Sequence, residues 1–85
     1  MNILELKVEE ELIQLSINAN KYRKPISFTD FTKYCDACGG DWSNMLLTGI
    51  KKLYPDFYAI IPNNLLLSFF QLAELLMVLG VDFDK

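Results

Sequence analysis

Between Leu65 and Leu79 the chain places twelve apolar residues in fifteen positions, broken only by Ser68, Gln71 and Glu74. At about 100° per residue, Leu65, Leu66, Phe69, Phe70, Ala73, Leu76 and Met77 define one broad face, the expected core side of a helix over about Asn64–Leu79. Ser68, Gln71 and Glu74 define the opposite side, and Leu67, Leu75 and Val78 fall inside that same polar arc. A surface helix of a monomer normally keeps its outer face polar. Each large aliphatic side chain left exposed forgoes about 1.5–3 kcal/mol of burial. Three of them together approach the net stability of a small domain. Two arrangements answer this: a central helix wrapped by the others, or contact with another protein or a second copy. The pattern favours contact, which makes Leu67, Leu75 and Val78, with Glu74 at the rim, the candidate protein-binding residues.

The remaining elements follow from periodicity and punctuation. Leu4, Val8, Leu12, Leu15 and Ala19 recur at helical spacing over Ile3–Ala19, with Leu6, Ile13 and Ile17 as a second stripe. Leu4–Val8 and Ile13–Ile17 also alternate as strands would. The Glu9-Glu10-Glu11 run between them has no turn chemistry for a hairpin, so a helix is preferred over a hairpin. Lys24 precedes Pro25 and should be extended. Ser27, with Asp30 three positions on, should cap a second helix carrying Phe28, Phe31, Tyr34, Cys35 and Cys38. Gly39-Gly40 should end it. Asp41 is a natural cap for a third helix over about Trp42–Tyr54, with Trp42, Met45, Leu46, Gly49, Ile50 and Leu53 on one face. Gly49 costs about 1 kcal/mol against alanine there, and close approach of a neighbouring helix would explain it. Pro55 ends that helix and can open a short turn through Ile61. Asn63 or Asn64 should cap the last helix and Gly80 should close it.

Composition narrows the class. The 85 residues suit a single helical domain over residues 1–85, with 52% hydrophobic residues, enough to collapse. A domain this small is marginal unless it is packed very well, stapled or oligomeric. The net charge is −3, with eight basic residues against eleven acidic ones. That balance lacks the basic field of a non-specific nucleic-acid binder. No secretory signal is read, and with only two cysteines the expected compartment is the cytoplasm. The apolar run of the last helix falls short of the roughly 20 residues needed to span a bilayer, so no membrane span is expected.

Candidate chemistry is sparse. Cys35-Asp-Ala-Cys38 is a CxxC, but a structural zinc takes four ligands and the chain has no histidine and no second cysteine pair. Zinc would therefore need carboxylates, or an all-cysteine site in which two copies each supply a pair. A redox CxxC works from a helix N-terminus, and this one sits near the expected C-terminus of the second helix, where the dipole has the opposite sign. Packing of the helix end is the preferred role. The absence of histidine rules out a Ser–His or Cys–His pair, and Gly39-Gly40 is too short for a phosphate loop. No metal, cofactor or small-molecule substrate is expected, and no enzymatic activity. Residues 31–52 can also be read as a helix-turn-helix, which makes a DNA-binding regulator the alternative. Its recognition helix would open on Trp42 and hold its basic residues, Lys51 and Lys52, at the far end. Bases are usually read from the N-terminal part of that helix, so nucleic acid is not the expected partner.

Cys38-Gly-Gly-Asp-Trp-Ser-Asn-Met-Leu-Leu-Thr-Gly-Ile-Lys51, followed by Tyr54-Pro55 and Ile61-Pro62-Asn63, resembles short uncharacterised proteins of Firmicute phages and mobile genetic elements. The resemblance covers about Phe28 to Asn64 and brings no assigned activity or site residues. It implies a context in which small acidic proteins often blunt a host system, as anti-CRISPR and anti-restriction proteins do.

The expectation is therefore an all-α protein, a compact bundle of four to five short helices. It would act as a non-enzymatic binding module, possible as a dimer or a hetero-complex, that inhibits a host defence or regulatory protein by steric occlusion.

Overall fold

A computed structural model describes residues 3–36, 39–63 and 65–84, with side chains from residue 9 onward. Its order is α1 (Ile3–Ala19), a 3₁₀ turn (Asn20–Tyr22), β1 (Ile26–Ser27), α2 (Phe28–Thr32), α3 (Trp42–Leu53), α4 (Pro55–Ala59), α5 (Phe69–Leu79) and β2 (Val81–Asp82). The chain is mostly helical, as expected, but it is not purely all-α. β1 and β2 pair in parallel, with Ile26 opposite Val81 and Ser27 opposite Asp82.

α1 is one continuous helix with no hairpin. Leu15 and Ala19 are buried and Leu12 is half-buried, while Ile13 and Ile17 of the second stripe face solvent. Leu4, Leu6 and Val8 lie outside the described side chains. Ser27 caps α2 as expected, its hydroxyl accepting from the Asp30 N–H at 3.1 Å. The helix stops at Thr32, well short of Cys38. There the backbone tightens into three-residue bonds, Lys33 to Asp30, Tyr34 to Phe31 and Cys35 to Thr32. Asp36 then leaves the helical path, its N–H donating to Thr48 Oγ1 at 2.9 Å. Tyr34 is consequently exposed. Cys38 lies outside the described residues, so the CxxC is described at Cys35 only.

Asp41 caps α3 through its carboxylate, which accepts the Asn44 N–H at 3.2 Å. Leu46, Gly49 and Ile50 turn inward while Trp42, expected on that face, stands outside it. Gly49 makes room for side chains of the α2 region. A Cβ at this position would lie 2.6 Å from Phe31 Cζ and 2.8 Å from Cys35 Sγ. Pro55 opens α4 at its first turn.

The core gathers Leu15 and Ala19 from α1, Phe31 from α2, Leu46 and Ile50 from α3, Tyr54, Phe57, and Val81. α5 supplies the largest share, Leu72, Leu75, Leu76 and Leu79, and packs against both α1 and α3. Gly80 ends α5 at φ +110°, its N–H donating to the Leu76 and Met77 carbonyls. The chain then meets the segment after α1. The Lys24 N–H donates to the Leu79 carbonyl at 2.7 Å and the Ile26 N–H to the Gly80 carbonyl at 3.1 Å. The Tyr54 hydroxyl donates to the Lys24 carbonyl at 2.7 Å. These bonds explain the small sheet, whose two strands have no pattern of their own.

No helix of the described residues is long and apolar enough to cross a membrane.

Candidate protein-binding surface

The start of α5 is set at its first turn. Ser68 is extended and begins a capping box. Its hydroxyl accepts the Gln71 N–H at 3.3 Å, and Gln71 Oε1 accepts the Ser68 N–H at 2.9 Å. The helix therefore begins at Phe69, four residues after the start of the apolar run. Leu65, Leu66 and Leu67 precede it in irregular backbone, and Asn64, one of the two expected caps, lies outside the described residues.

From that start, Leu72, Leu75, Leu76 and Leu79 point inward. On a helical wheel their centre is rotated by about 100°, one residue step, from the expected core face. The expected core residues Leu66, Phe70 and Met77 are instead 88%, 77% and 61% exposed. The expected contact residues move the other way, and Leu75 is fully buried. It cannot be an outer contact, because it fills the core. Leu67 and Val78 are half-buried and pack on the core cluster. Leu67 shares a shallow hollow with Leu47, Tyr58 and Ile61. Glu74 alone of the four expected residues is fully at the surface.

The exposed apolar surface is thus a different set. Phe70, Ala73 and Met77 follow one another at helical spacing along α5, beside Glu74. Phe69 touches Phe70 edge-on, with centroids 5.7 Å apart, and meets Trp42 edge-on at 6.3 Å. Trp42, at the first turn of α3, is 55% exposed. Behind them, Phe69, Ala73, Met77 and Phe83 line an open groove of about 520 Å³ between α5 and β2. Phe83 is anchored there by stacking on Phe28 at 4.9 Å. Large side chains at both ends and small Ala73 between them give a surface that a rod of side chains can enter.

The charges around this surface are mostly negative. Glu74, Asp82 and Asp84 border it, and Arg23 stands on one lip. The Arg23 guanidinium donates to the Val78 carbonyl at 3.3 Å, at the C-terminal end of α5, where a cation is favoured by the helix dipole. Three lysines elsewhere are held locally. Lys52 pairs with Asp36 at 2.7 Å, Lys33 with Asp30 at 3.0 Å, and Lys51 lies 5.7 Å from the Tyr58 ring centre.

Among the described residues no group of three His, Cys, Asp or Glu side chains is placed to hold a metal. Cys35 is half-buried, its Sγ 3.7 Å from the Phe31 carbonyl. What the described surface offers chemically is apolar contact with an acidic border. Phe70 and Met77 were legible as apolar residues. The Ser68-x-x-Gln71 capping signature marks where α5 starts but not which side faces the core, so no local signal assigns them to the outside. No protein-family model, curated protein or solved structure matches the chain.

Proposed function

We propose that the chain is a small, non-enzymatic protein-binding module of a phage or mobile element. It inhibits a host defence or regulatory protein in the cytoplasm by occluding a surface of that protein. One observation carries the reading: Phe70 and Met77 stand exposed on α5, with Phe69 and Trp42 beside them, while a separate set of residues forms the core. Hydrophobic side chains are scattered over every protein surface. A contiguous aromatic and aliphatic patch with a charged border is what interaction sites present. Trp42, Phe69 and Phe70 are the residue types that dominate interface energetics. The resemblance of Cys38–Lys51 to short proteins of Firmicute mobile elements supplies the cellular context.

The test is phage infection of Firmicute strains that each carry one defence system, CRISPR or restriction, and express the chain. The wild-type chain should restore plaquing on at least one strain. The Phe70→Ser/Met77→Ser variant, shown to be folded by circular dichroism, should not. Restoration by both proteins, or by neither on every strain, would remove the reading.

A further inference from the structure

The outer face of α5 constrains what can cover it. Trp42, Phe69, Phe70, Met77 and Phe83 together expose on the order of 500 Å² of mainly apolar surface, from about 150–250 Å² per fully exposed aromatic and the fractions left uncovered. That is more than half of the roughly 800 Å² each partner contributes to a standard interface. The spacing of Phe70, Ala73 and Met77 along a straight helix, with the smallest residue in the middle, suits a second helix lying along it. Helices approach to about 8–10 Å where small residues meet.

Charge selects the occupant. From Leu53 to Asp84 the chain has no lysine or arginine, and carries Asp56, Glu74, Asp82 and Asp84. Three of those four carboxylates border the face; Arg23, on one lip, keeps its charge while bonding the Val78 carbonyl, so the border is net negative but not free of a cation. A second copy fits this poorly. Two α5 helices related by a two-fold axis between Phe70 and Met77 would bring Glu74 beside its own mate, with Asp82 and Asp84 adding further like charge. Like charges facing each other select against a pairing. We infer that this face takes an amphipathic helix of a partner protein, its apolar stripe flanked by lysine or arginine. The inference rests on the protein-binding reading and specifies the partner's chemistry.

Trp42 is the chain's single tryptophan and lies at the edge of the face, so its emission reports occupancy. The probes are three tryptophan-free 18-residue peptides. One has a leucine stripe flanked by lysine, one has the same stripe flanked by glutamate, and one is the lysine peptide scrambled to destroy the stripe. The lysine-flanked peptide should shift Trp42 emission and bind at least about tenfold tighter than either control, weakening as salt rises. The Glu74→Lys/Asp82→Lys/Asp84→Lys variant should reverse the preference between lysine and glutamate. The Phe70→Ser/Met77→Ser variant should lose binding to both. Equal binding of the three peptides, no binding, or a preference unmoved by charge reversal overturns the inference. A dimer in sedimentation that becomes a monomer with Phe70→Ser/Met77→Ser also overturns it, in favour of a second copy. If the charge-reversed variant still protects phage fully while Phe70→Ser/Met77→Ser does not, the partner's basic character falls and the protein-binding reading stands.

Discussion

Trp42 stands edge-on to Phe69, with ring centroids 6.3 Å apart and planes at 81°. This contact joins the first turn of α3 to the first turn of α5, at the border of the exposed face. An aromatic pair of this geometry contributes about 0.5–1.5 kcal/mol beyond the area it buries. Trp42→Ala should therefore lower stability by about 1–2 kcal/mol in urea unfolding. Trp42→Phe, which keeps a ring at the position, should recover more than half of that. A Trp42→Ala variant as stable as wild type would show that the pair holds nothing in solution.

The inside and outside of α5 can be separated by substitution. Leu75 is fully buried among Leu72, Leu76 and Leu79. Leu75→Ala should cost about 2–5 kcal/mol, from lost transfer energy and the cavity left behind. Phe70→Ser and Met77→Ser remove side chains that touch mostly water, and each should stay within about 0.5 kcal/mol of wild type. Chemical denaturation of the three variants reads this directly. If Phe70→Ser proves as costly as Leu75→Ala, the helix is rotated the other way in solution.

That rotation marks where the sequence stops being legible. Four element ends were readable because capping is local: Ser27, Asp41 and Pro55 begin helices and Gly80 ends one, whereas α2 stops at Thr32, before Gly39-Gly40, and Ser68 caps α5 in place of Asn63 or Asn64. α1 was readable because its periodicity outlasts the short alternations inside it. α5 was not, because leucines surround most of the helix. With twelve apolar residues in fifteen, the wheel has no sharp minimum. Several sectors of the wheel are nearly equal in apolar content, and the one expected to face the core lies one residue step from the one that does. The signal for the start, Ser68 with Gln71, was present in the chain as a capping box hidden inside an apolar run. β1 and β2 could not be read at all. Each is two residues long and exists because Gly80 brings residue 81 beside residue 26, a contact made by the tertiary fold.

Of the three glycines at positive φ, Gly80 should be the least tolerant of change. Its φ of +110° is disfavoured for any residue with a Cβ, at about 1–2 kcal/mol for left-handed backbone. A Cβ there would also sit 3.0 Å from the Lys24 carbonyl and from Pro25 Cα, both backbone atoms that cannot rotate aside. Gly80→Ala should cost more than about 2 kcal/mol. Gly39, at φ +61° with open space around it, is a control for the backbone contribution alone, and Gly39→Ala should cost about 1 kcal/mol. Equal losses in thermal unfolding would mean that the contact with Lys24 and Pro25 contributes nothing.

Tyr54 makes stability depend on alkaline pH. Its ring is buried, and its hydroxyl donates to the Lys24 carbonyl at 2.7 Å. Burial raises its pKa above the usual 10.0, while the charge of Arg23 pulls it partly back down. A group that holds its proton more tightly when folded adds stability that is fully present below its unfolded pKa. That stability is lost as pH rises through the folded one. The loss should therefore begin near pH 10 and continue above it. Tyr54→Phe removes both the hydrogen bond and the titration. At pH 8 it should be less stable than wild type by about 1 kcal/mol, the worth of a partly buried neutral hydrogen bond. As the pH is raised past 10 the gap should close, because wild type must then bury a phenolate or release the Lys24 segment. Urea midpoints of the two proteins at pH 8, 9.5 and 10.5 decide the matter. Parallel curves across that range would mean that Tyr54 titrates no differently in the folded and unfolded chains.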